Sequence, residues 1–71
     1  MSLMYKALVA KYEADLLESK ATLEVYFNNS VGIGEHPQHL EEMDGLVDKM
    51  ASASDKLESL KDNFDGNGVA L

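Results

Sequence analysis

The residues best suited to chemistry lie together in Glu35-His36-Pro37-Gln38-His39-Leu40-Glu41-Glu42. His36 and His39 are three apart, and Glu42 lies three beyond His39, so a helix would set all three on one face. Imidazole and carboxylate together suit zinc or iron. The di-iron pattern of helical bundles is Glu-x-x-His, placed mid-helix and supported by glutamates from other helices. Here the order is reversed and the place is a helix start. The simpler reading is a cap, with His36 ahead of Pro37 at the first helical position and acids near the positive end of the helix dipole. A metal-binding bundle using His36, His39 and Glu42 stands as an alternative, and no cofactor is expected.

A second run, Asn63-Phe64-Asp65-Gly66-Asn67-Gly68, has the oxygen ligands and the glycine of an EF-hand start. That loop needs twelve residues and a bidentate acid at the last, and only nine remain to Leu71. A helix stop explains the same residues. The serines at 19, 52, 54 and 59 sit in helical patterns without a positioned base, and Gly32-x-Gly34 is too short for a phosphate loop. Carboxylate pairs such as Glu41 and Glu42 read as solubility charge on a solvated face. The sequence reads as non-catalytic.

What remains is pattern. Tyr5, Val9, Tyr12, Leu16, Ser19, Leu23 and Tyr26 recur at steps of four and three, and Leu40, Met43, Val47, Met50, Ser54, Leu57, Lys61 and Phe64 at steps of three and four. Each set forms one stripe of a helix, the seam that buries against another helix. Leu8, Leu17, Ala21 and Phe27 widen the first apolar face, as burial against more than one neighbour requires. The spacing predicts a helix over about 3–28 with Ser2 as its cap, a connector over 29–36, a helix over about 37–64, and a frayed tail over 65–71. Gly45 lies inside the second helix at a cost of about 1 kcal/mol relative to Ala, which suggests a close helix approach or a slight bend. Val31 and Ile33 are expected to cover the end of the core.

The chain is therefore expected to be all-α, an antiparallel helical hairpin of two long helices. Two rods of about 40 Å cannot enclose a core alone, so self-association into a helical bundle is expected, first as a dimeric four-helix bundle and next as a trimer of hairpins. With 71 residues and no cysteine, oligomerisation is the available support. The expected interface comprises Tyr5, Val9, Tyr12, Leu16, Leu23, Tyr26, Met43, Val47, Met50, Leu57 and Phe64. Tyrosines at one heptad position read as seam packing, or as a recognition strip, since tyrosine is frequent at binding hot spots.

Thirteen acids against six lysines, with no arginine, give a net charge of −7. No basic stripe exists to neutralise phosphates, so nucleic acid is not an expected partner, nor is an anionic membrane surface. No apolar run reaches the roughly 20 residues that cross a bilayer. The acids fall at many helix positions, which reads as an ordinary solvated surface. An acidic inhibitor of a basic nucleic-acid-binding protein is the remaining alternative.

The segment Ser30-Val31-Gly32-Ile33-Gly34-Glu35-His36-Pro37, followed by an acidic helix ending Asp55-Lys56-Leu57-Glu58-Ser59-Leu60, resembles a group of small uncharacterised proteins of marine tailed phages of the cyanophage type. In these a Val-Gly-Ile-Gly-Glu-His connector separates two helices. The heptad pattern and the lack of a complete chemical site point to a small structural or adaptor protein that contacts itself; the resemblance implies a phage or environmental viral origin, with another phage or host protein as a further partner. It also implies a place in the cytoplasm of the infected cell or in the virion. It transfers no functional residue.

Overall fold

The structure, a computed structural model, describes residues 2–28 and 39–64. These form two α-helices, α1 (Leu3–Asn28) and α2 (His39–Phe64). Residues that meet across them run in opposite directions: Tyr26 with Glu42, Glu18 with Lys49, Tyr12 with Lys56. The pair is antiparallel, a helical hairpin with extents of 51 × 16 × 16 Å. The connector expected at 29–36, with Val31, Ile33 and His36, lies outside the described residues, as do Pro37 and the tail from Asp65.

α1 forms because nothing between Leu3 and Asn28 breaks a helix and because its first turn is capped. The Ser2 hydroxyl accepts from the Tyr5 amide at 3.0 Å, and the Ser2 carbonyl takes the first helical bond from Lys6 at 3.1 Å. α2 carries Glu41 and Glu42 in its first turn and Lys61 in its last, the signs that the macrodipole favours. It runs unbroken through Gly45, whose missing Cβ would meet nothing within 4 Å. Close approach of α1, one of the two sequence readings of this glycine, is therefore not its reason. Gly45 is exposed, on a flank of α2.

The α1 seam is the expected one: Tyr5, Val9, Tyr12, Leu16 and Tyr26 are half-buried, and Ser19 and Leu23 are buried. On α2 the seam is rotated. Met43, Met50 and Leu57 lie in it as expected, but the positions between them are His39, Leu46, Ala53 and Leu60, rather than Leu40, Val47, Ser54 and Lys61. Leu40 is 79% exposed and Val47 45%. Phe64, also expected in the seam, is 46% exposed at the helix end. The physical reason is that two overlapping stripes share 43, 50 and 57. The one chosen adds His39, Leu46, Ala53 and Leu60; the other would add Leu40 and Val47 but bury a serine hydroxyl and a lysine ammonium, and an ammonium is the costliest of these groups to bury without a partner. Small residues sit where burial is deepest. Ser19 is fully buried, with its hydroxyl donating to the Asp15 carbonyl at 2.8 Å, and Ala53 is 3% exposed.

Candidate functional site

The His39–Glu42 pair is positioned by the first turn of α2 and faces Tyr26, near the end of α1. The Tyr26 hydroxyl donates to Glu42 Oε2. The Tyr26 and His39 rings meet edge to face, with centroids 5.4 Å apart and planes at 77°, an arrangement aromatic pairs favour. The hydrogen bond to Glu42 holds the Tyr26 hydroxyl above its ordinary pKa; desolvation and the Glu42 charge add to the effect. A phenol held in its protonated form is a donor, not a nucleophile. Both candidate ligands, His39 and Glu42, are thus turned to Tyr26. His36 lies outside the described residues, among which no three side chains are grouped to hold a metal.

The other tyrosines have local roles as well. Lys56 Nζ lies 5.2 Å from the centroid of the Tyr12 ring, a cation–π contact. Tyr5 lines a shallow groove with Val9 and Leu57, edged by Lys6, Glu13 and Lys61. One ion pair crosses the opposite flank, the side of Tyr12 and Lys56: Lys49 Nζ to Glu18 Oε1 at 2.8 Å. This hydrogen bond, and then the opposite charge, lowers the Glu18 carboxyl, and the hydrogen bond raises Lys49. Asn63 donates to the Ser59 carbonyl at 2.8 Å within α2, and Asp65 to Gly68 of the EF-hand-like run lie outside the described residues.

The faces turned away from the seam differ sharply. On α1 the residues Leu3, Ala7, Ala10, Ala14, Leu17 and Ala21 recur at steps of four and three and are all exposed, Leu3 at 81% and Leu17 at 69%. At about 100° per residue this stripe lies about 150° round from the seam. On α2 the equivalent positions are Glu41, Asp44, Asp48, Ala51, Asp55, Glu58 and Asp62, also exposed. Six carboxylates thus form a ridge roughly 30 Å long. The lysines at 49 and 56 do not compensate it, because they turn across the seam to Glu18 and Tyr12. Six of the seven acids of α2, all but Glu42, are therefore gathered on one exposed stripe, whereas the sequence reading took the acids as dispersed. Both stripes were visible as heptad spacing. Alanine makes the α1 stripe a weak hydrophobic pattern, and the α2 ridge stands out only when the acids of that helix are placed by heptad position apart from those of α1.

Among the described residues no helix is long and apolar enough to cross a membrane. No family model matches the chain, and neither a curated protein nor a solved structure matches it.

Proposed function

We propose that this chain is a small non-catalytic structural or adaptor protein that works by protein–protein contact and assembles with itself into a helical bundle, a dimer of four helices. The observation that carries this reading is how little the hairpin hides. Among the described residues only Ser19, Leu23 and Ala53 are buried, while Leu3, Met4, Leu8, Leu17, Val25, Phe27, Leu40, Val47 and Phe64 are exposed. Apolar surface on this scale marks an interaction site in a water-borne protein. Two helices also lack the layers that enclose a core. Association covers part of that surface and stabilises the fold by mass action. A phage origin, suggested by the connector, belongs to the same proposal. Light scattering on a size-exclusion column tests the assembly: a dimer mass is expected, and a folded monomer throughout micromolar dilution refutes it.

The acidic ridge on α2 favours a second reading, an inhibitor that occupies a basic nucleic-acid-binding surface. Its signature is association with a basic protein that weakens steeply as salt rises. It would be lost in an Asp48→Lys, Asp55→Lys double variant. Binding indifferent to both changes removes this reading.

A further inference from the structure

The outer stripe of α1 from Leu3 to Ala21 is the longest exposed uncharged face among the described residues, and its flanks carry charges in an order that selects one occupant. One edge holds Lys6, Glu13 and Lys20; the other holds Lys11 and Glu18, with Met4 and Val25 at either end. Lys11, Glu13 and Lys20 take part in no ion pair among the described residues, and Glu18 gives only Oε1 to Lys49.

We infer that a second copy of this chain docks on the α1 outer stripe, the two α1 helices antiparallel about a two-fold axis between Asp15 and Leu16. The inference rests on the self-association proposed above and adds the surface and its orientation. In a parallel pair, each residue of one edge meets the residue five positions on along the other edge of its neighbour. That would set Lys6 beside Lys11 and Glu13 beside Glu18, like charges in both cases. In an antiparallel pair each edge faces its own copy reversed. With the axis at the middle of Leu3–Asn28, Glu13 faces Lys20 of the second copy and Lys20 faces its Glu13. The other edge sets Lys11 against Glu18 and Met4 against Val25.

The stripe itself accepts this register. At its centre Ala14 meets Leu17 of the second copy and Ala10 meets its Ala21, each contact made twice, while toward the ends Ala7 meets Glu24 and Leu3 meets Asn28, polar groups that stay at the rim. Small residues permit an interaxial distance at the short end of the usual range, about 8 Å. Two-fold pairing also repeats one patch on both copies, as a closed dimer requires. The α2 backs cannot serve in this way, since each would press six carboxylates against six more. They are left facing outward at the two far edges of a flattened four-helix array.

The full-length chain tests this by analytical ultracentrifugation across a concentration series. Leu17→Glu should yield a monomer that keeps its helical circular dichroism, because Leu17 is 69% exposed within the hairpin. Glu13→Lys, and separately Lys20→Glu, should weaken the dimer by roughly fivefold to thirtyfold, two surface pairs being reversed at once. The double variant should return to wild-type affinity. In a parallel dimer Glu13→Lys would instead relieve a repulsion and tighten association, which overturns the inference. A dimer that survives Leu17→Glu yet separates with Leu40→Glu also overturns it while leaving self-association standing. A wild-type monomer removes both.

Discussion

Gly45→Ala isolates a single physical effect. Gly45 lies within α2, is exposed, and has open space where a Cβ would be placed. No clash opposes the substitution, so the helix-propensity difference should appear undiminished, about 1 kcal/mol in favour of alanine. Much of that gain comes from the unfolded chain, which loses conformational freedom when glycine is replaced. For a domain of this size the corresponding rise in Tm is about 4–8 °C. The measurement is a thermal melt by far-ultraviolet circular dichroism at fixed protein concentration, because association makes Tm concentration-dependent. Gly45→Leu is the graded control. In open space its propensity is close to that of alanine, so both variants should gain. An unchanged or lowered Tm for Ala, or a gain for Ala with a loss for Leu, would show that this flank is covered in solution. The reasoning from an uncovered glycine would then fail.

Leu23→Ala should cost about 2–5 kcal/mol, since Leu23 is only 5% exposed and its loss opens the centre of the seam; denaturant titration should find this variant largely unfolded. Leu40→Ala, at a position 79% exposed, should stay within about 0.5 kcal/mol in the same titration. Equal losses from the two would contradict the rotated α2 seam. Ser2→Ala removes the acceptor of the Tyr5 amide and should cost about 1 kcal/mol, whereas Ser2→Gly should cost only a few tenths. Tyr26, with its pKa raised in the folded state, contributes stability that is present below the ordinary tyrosine range and is lost as pH climbs through the raised value. Absorbance titration should therefore show one tyrosinate forming late, and Tyr26→Phe or Glu42→Gln should abolish that late component. Glu18 behaves with the opposite sign: its contribution is present above the ordinary carboxyl range and is lost as pH falls through the lowered value. Carboxyl NMR of Lys49→Met should find the Glu18 midpoint moved back upward.

Periodicity alone was enough for two helices, the start at Leu3, the cap at Ser2 and the whole α1 seam. These features are local, because a run without Gly or Pro and a four-three apolar spacing express themselves within a few turns. The α1 seam was unambiguous since the stripes beside it are interrupted by Asp15 on one side and by Glu13 and Lys20 on the other. On α2 the same logic left two stripes sharing Met43, Met50 and Leu57. Spacing could not separate them, and the burial cost of Ser54 and Lys61 became visible only against α1.

The tertiary structure also decided what lies outside the seam. The partners of Tyr26, Tyr12 and Glu18 come from the other helix, at sequence separations that no local pattern records. By drawing Lys49 and Lys56 across to α1, packing turns two of the three α2 lysines away from the acidic ridge on its back. Amino-acid order determined which residues share a helix face, because helical geometry is set by the backbone. Which faces meet and which stay in water was decided by docking, because desolvation depends on what the opposite helix presents.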